Sequence, residues 1–141
     1  MSIARGRFAN APLGLLERAV RRTLRDERVE AAEISLSLLG DEDIRELNRR
    51  HLGHDCPTDS LSFALRQAGE PVVGDVYVGV EQARRQASEE GVTEIEELVR
   101  LAIHGTLHVL GWDHPQDTDG RIDSPMWRRQ EALVSEVMRA G

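Results

Sequence analysis

The sequence contains no lysine. All 18 of its basic residues are arginine, set against 25 aspartates and glutamates, and the net charge is −7. Such a chain gains little from general attraction to polyanions, so any contact with nucleic acid has to come from a local basic patch. The arginine-only usage reads as a codon or genomic bias rather than as selection for guanidinium forks. There is one cysteine, Cys56, which excludes an intrachain disulfide and fits a reducing cytoplasm. Long apolar runs are missing too. The first twenty residues are interrupted by Asn10, Pro12, Gly14 and Glu17, which makes a poor signal peptide and no membrane span. No internal repeat, low-complexity tract or long linker breaks the chain.

What remains is ordinary globular material. The 141 residues are 40% hydrophobic and 30% charged, enough for one domain, 1–141, with a real core. "SIARGRF" (2–8) reads as a weak first strand. Asn10 reads as a helix cap with Pro12 in the first turn, and Leu15, Leu16, Ala19, Val20 and Leu24 carry a helix to about Arg28. "EISLSLL" (33–39) alternates as a half-buried strand, and 40–51 follows as a short helix capped by Asp41. Residues 58–65 and 74–80 read as strands close enough to pair antiparallel. A helix over 81–90 ends at Gly91. Thr93 and Glu96 form a capping box for one that runs to about Leu110, and Ser124-Pro125 opens the last, 125–139. The sum is an α+β domain with a small mixed four-stranded sheet and about five helices.

"HGTLHVLGWDH" (104–114) carries the chemistry. His104 and His108 stand four apart on a helix and leave one face of it, roughly away from a stripe of Ile95, Leu98, Val99, Ala102 and Ile103. Gly111 follows where the helix should end, and a positive φ there can turn the chain so that His114 meets the other two. Three neutral imidazoles with a fourth position open make a catalytic type of zinc site, zincin-like in its spacing. The plainer reading is two structural histidines and one at the surface, but the three-point spacing together with the glycine favours a metal. A closed structural site would need a fourth ligand, for which Cys56, His54 and Asp113 are candidates; Asp113 fits better as a residue that orients an imidazole. "DTDGRID" (117–123) resembles part of a calcium loop. Its register would put Pro115 first and Met126 twelfth, and neither can ligate.

The same segment resembles the signature of the YbeY family, the bacterial rRNA-maturation endoribonucleases. "LNRRHLGHDCPTDSLSF" (47–63) resembles that family's second motif, and "GDVYV" (74–78) its G-D-I-Y-I strand. The resemblance implies a single domain in which His104, His108 and His114 hold Zn2+. It implies an endoribonuclease specific for single strands, acting on rRNA and ribosomal particles in 16S rRNA 3′-end maturation and ribosome quality control, with no membrane or DNA partner. The sequence departs from the family at Leu52, where many members carry an arginine. Arg49 and Arg50 are then the candidates for substrate binding, in the dense positive stretch that also holds Arg45, His51 and His54.

A metzincin protease has its catalytic glutamate where Gly105 stands here. Phosphodiester cleavage has less need of such a base, because its leaving group is an oxygen, and Gly105 is expected to keep a carboxylate away from an anionic substrate. Asp113 and Asp117 are the candidate catalytic carboxylates. Two further readings stay open: a ribosome-assembly factor whose zinc is structural, and a metalloprotease-like hydrolase with its base elsewhere.

Overall fold

A computed structural model describes residues 1–8, 10–65, 70–112 and 124–140. Among them lie four strands and five helices: β1 (Ser2–Ala4), α1 (Leu13–Asp26), β2 (Ala32–Leu39), α2 (Asp41–Leu52), β3 (Ser60–Ala64), β4 (Val72–Gly79), α3 (Val80–Glu90), α4 (Glu94–Val109) and α5 (Pro125–Ala140). The fold is α+β. No described helix is long and apolar enough to cross a membrane.

The sheet order is β1-β2-β4-β3. β1 pairs with β2 and β2 with β4 in parallel, while β3 runs antiparallel to β4. The β3–β4 hairpin is the pairing expected from chain proximity. Its register sets Ser62 opposite Val76 and Phe63 opposite Asp75. Because side chains alternate along a strand, Ile34, Leu36, Leu38, Val72, Val76 and Val78 all turn to one face and are buried there. Glu33, Ser35 and Ser37 turn to the other.

Several ends differ from those read in the sequence. β1 stops at Ala4, because a turn closed by Phe8 N–H on Arg5 C=O, with Gly6 at φ +54°, leads the chain off the sheet. Asn10 does not cap α1. Pro12 holds the cap position with no side-chain bond, and the helix starts at Leu13. At α2 the cap is Gly40, and the Asp41 N–H is bonded by Glu81 Oε1 at 2.9 Å from α3. A distant carboxylate thus does the work a local cap was expected to do. Thr93 does cap α4, its Oγ1 accepting from Glu96 N–H at 3.1 Å. Ser124 Oγ accepts from Trp127 N–H at 3.1 Å and opens α5.

α4 is the central helix. It packs on β4 and β3 with one side and on α1, α3 and α5 with the others. Leu98, Val99, Leu101, Ala102, Ile103, Leu107 and Val109 are buried, so its apolar surface is wider than the stripe read from sequence. Ile95, assigned to that stripe, is instead 44% exposed.

The contact with the sheet interlocks. A β-carbon at Gly105 would collide with Val76 Cγ1 and lie 3.0 Å from Ser62 Oγ. One at Gly74 would collide with Val109. A glycine on the helix therefore receives a valine of the strand, and a glycine on the strand receives a valine of the helix. This corrects the reason given for Gly105. Its missing side chain would point into the sheet, not toward a substrate, and what it excludes is atomic overlap rather than charge.

α2 lies over the opposite sheet face. Ile44 and Asn48 are its buried residues, Ile44 sits beside the Gly79 backbone, and the His51 ring packs tilted against Phe63 with centroids 5.2 Å apart.

Gly105→Ala is expected to lower stability by about 1–3 kcal/mol through overpacking, read as a lower urea midpoint at constant slope. Gly105→Glu, which adds a buried charge, should fail to fold; a Gly105→Ala midpoint equal to wild type would show that α4 can back away from β4.

Candidate metal centre

His104 and His108 stand one turn apart on α4, both half-buried, with Nε2 atoms 3.1 Å from each other and rings 4.5 Å apart at 83°. The other nitrogen of each ring is anchored, and the anchors decide where the protons are.

His108 Nδ1 lies 3.0 Å from the Trp112 carbonyl oxygen. A carbonyl can only accept, so Nδ1 carries the hydrogen and Nε2 presents a lone pair. The turn after α4 sets that carbonyl. Gly111 has φ +100°, its N–H bonds His108 C=O at 3.0 Å, and Trp112 N–H reaches Leu107 C=O at 3.0 Å. This is a Schellman closure, and it folds Trp112 back onto the helix that holds the histidines. The Trp112 indole N–H donates to Glu27 at the end of α1, whose carboxylate also takes Arg129 at 2.8 Å.

His104 is oriented by a longer chain of bonds. Its Nδ1 is 2.7 Å from Gln130 Oε1, and Gln130, 2% exposed, is on α5. Gln130 Nε2 donates to Glu131 at 3.0 Å. Glu131 is held by Arg100 through bonds of 2.8 and 3.0 Å, and Arg100 also reaches Glu97 and Glu96. Gln86 of α3 donates to Glu97 at 2.8 Å. Burial works against the Arg100 charge, yet the hydrogen bonds it donates to Glu131 and Glu97 outweigh it and hold its pKa above the ordinary arginine value. With both of its oxygens accepting from Arg100, Glu131 faces Gln130 as an acceptor. Gln130 must therefore turn its NH2 to Glu131 and its oxygen to His104, which makes His104 Nδ1 the donor.

The two Nε2 atoms face each other at 3.1 Å. Two nitrogens bound at ~2.0–2.1 Å to one tetrahedral zinc would stand about 3.3 Å apart, so the observed pair fits two ligands of such an ion with little movement.

Asp113, His114 and Asp117 lie outside the described residues. Among the described residues no cluster of three or more His, Cys, Asp or Glu forms around a metal position. Cys56 and His54 are exposed in the loop after α2, where Asn48 Nδ2 bonds the Cys56 carbonyl at 2.9 Å. Arg49 and Arg50 both turn to Glu46 on their own helix, with side chains 52% and 63% exposed. Arg49 holds the Glu46 carboxyl below its usual pKa. Arg45 is forked onto Asp55 at 2.8 and 3.2 Å. None of the three arginines lines the groove beside His104.

That groove, about 670 Å³, is acidic. Asp59, Glu89, Glu90, Glu97 and Glu131 line it, and among the described residues its one guanidinium, Arg100, is already shared among three glutamates. These side chains repel a polyanion. Gln130, Glu131 and Trp112 carry no sign in the sequence of their part in this arrangement. Arg100 does carry one: it precedes His104 by four residues and so shares its helix face.

The family model described as "Endoribonuclease YbeY" matches residues 9–138. An Endoribonuclease YbeY of Desulfitobacterium hafniense is 42% identical over 135 residues, which cover 88% of this chain and 84% of the relative. One of Geobacillus thermodenitrificans is 39% identical over 132 residues, covering 85% and 83%. Among solved structures, the solution structure of TM1509 from Thermotoga maritima superposes with a TM-score of 0.68 at 28% identity, covering 96% of this chain and 87% of that one. With a family match over nearly its whole length and relatives this similar, the chain belongs to the endoribonuclease YbeY family.

Proposed function

We propose that this protein is a zinc-dependent endoribonuclease that cuts single-stranded rRNA, in 16S rRNA 3′-end maturation and ribosome quality control in the cytoplasm. The observation that carries the metal is the pairing of His104 and His108 on one helix face, with Nε2 atoms 3.1 Å apart and the other nitrogen of each ring anchored by Gln130 or the Trp112 carbonyl. His114 completes the ligand set by its spacing. When bound, zinc supplies Lewis acidity toward a phosphoryl oxygen and acidifies water. The protein's own part is to hold the two imidazoles in one tautomer, through the Trp112 carbonyl and the Gln130 amide, so that no reorientation is needed at the moment of reaction. Asp113 and Asp117, which follow the motif closely, are the candidates to take a proton.

The acidic groove and the net charge of −7 favour one second reading, an assembly factor that binds ribosomal particles and uses its metal to hold its shape. Rescue of the ribosome profile by a metal-site variant would select it. A protease is disfavoured, because at the metzincin glutamate position the packing against Val76 leaves no room for a side chain.

Purified protein is expected to carry about one zinc per chain by metal analysis. His108→Ala should lose both the metal and the cleavage of a single-stranded rRNA fragment; cleavage retained without metal would sink the proposal.

The anchors give a finer test. Gln130→Leu should weaken zinc binding by about 10–100-fold in competition with a chromophoric chelator. Glu131→Gln should do so as well, although it touches neither histidine, because an amide there no longer forces Gln130 to face His104 with its oxygen. An unchanged zinc affinity in Glu131→Gln would mean that the Gln130 orientation is set by something else.

A further inference from the structure

We propose that the arginine face of α1, formed by Arg18, Arg21, Arg25 and Arg28 with Arg22 in the adjoining groove, is a docking surface for the phosphate backbone of RNA, separate from the histidine pair and leading to it. The inference rests on reading the chain as a ribonuclease.

Arg18, Arg21, Arg22 and Arg25 recur at the three- and four-residue spacing that stacks side chains along one helix face. Together they line a groove of about 270 Å³ between α1 and the end of α5, with Val137 and Ala140 as the other walls. Arg22 is committed to Asp26 and to Glu136 at 2.7 Å. The others are loosely held. Arg21 has one contact of 3.4 Å to Glu17, and Arg25 approaches Asp26 only to 3.8 Å. Arg18 and Arg28 are exposed and make no ion pair among the described residues. Exposed contacts of this kind hold little, and a guanidinium gives them up readily for a phosphate fork.

Arg28 adds an independent observation. It is the only non-glycine with positive φ among the described residues, at +60°. Its N–H bonds Arg25 C=O and Val29 N–H bonds Leu24 C=O, so it closes α1 at a position where α2, α3 and α4 use Gly53, Gly91 and Gly111. An L-residue pays in backbone energy to stand there. The side chain kept at that cost is an exposed guanidinium at the end of the arginine face.

The remaining argument is electrostatic complementarity. In a chain of net charge −7, the described walls of the groove beside His104 are rich in carboxylates and do not gather RNA. The α1 face can, and its far end adjoins the metal centre. Glu27, next to Arg28, holds the Trp112 indole, and the Trp112 carbonyl holds His108. A backbone lying along α1 is thereby led toward the histidines. A row of guanidiniums spaced along a helix suits a chain of phosphates, whereas Val137 and Ala140 offer too little apolar surface for a lipid.

The test is binding of a long single-stranded RNA to the full chain in a His108→Ala background, across a range of salt, with anionic vesicles as comparison. Arg18→Glu/Arg21→Glu/Arg25→Glu should lower RNA affinity at least ~10-fold and reduce the log–log salt slope by about 2. The charge-matched control Arg5→Glu/Arg7→Glu/Arg84→Glu should change it less than about twofold. Arg28→Gly should raise the melting temperature, by relieving the backbone, while weakening RNA binding; a purely structural arginine would not couple those two changes in opposite directions. If the triple reversal does not fold, Arg18→Gln/Arg28→Gly, which breaks no ion pair, replaces it. Equal losses in the triple variant and its control, or unaltered RNA affinity in both arginine-face variants, would overturn the docking surface and leave the ribonuclease reading standing. Vesicle binding that depends on Arg18 without RNA binding would overturn it in favour of a membrane. A wild-type chain that neither binds nor cuts RNA would overturn the ribonuclease reading, and this inference with it.

Discussion

The seating of α4 on β4 governs the rest of the molecule. Gly105 lies against Val76 and Val109 against Gly74, so helix and strand approach more closely than any side chain at either glycine would allow. α4 then has α1, α3 and α5 around it, and most of its second half is buried. Once that helix is fixed, the direction in which His104 and His108 leave it is fixed as well. The elements that supply their anchors are already its neighbours: α5 brings Gln130, and the turn at Gly111 brings the Trp112 carbonyl.

Charge is distributed to match. Carboxylates outnumber arginines, and much of that excess borders the histidine groove, where Arg100 is saturated by Glu96, Glu97 and Glu131. An ion pair network of this kind gains little in stability if its members are exposed, but Arg100 is mostly buried, and there each bond constrains the next. The permanent charge on Arg100 passes through Glu131 and Gln130 to become a statement about which nitrogen of His104 carries a hydrogen. The carboxylates among the described lining residues give that groove a negative wall. It also throws into relief the arginines of α1, which lie away from that wall.

Much of this was legible in the residues. The spacing of His104 and His108 places them on one helix face because the period of the α-helix is set by local geometry alone. The Gly111 turn, the Thr93 cap, the β3–β4 hairpin and the inward alternation of Ile34, Leu36 and Leu38 were legible for the same reason: each depends on residues a few positions apart. Where local signals failed, a partner from elsewhere had taken over. Asn10 yielded its cap to Pro12, and at α2 the N–H expected to be served by a local cap went to Glu81, forty residues away.

The sequence by itself determined the periodicities: which segments are helix or strand, where the helix with two histidines ends, and which family the motifs resemble. The tertiary structure alone decided the parallel order β1-β2-β4, the reason for Gly105, and the protonation pattern behind the imidazoles. These depend on which surfaces meet. Gln130 lies 26 residues from His104 and Val76 lies 29 from Gly105. No local period encodes a contact across such a distance; it exists only when the helices have packed on the sheet.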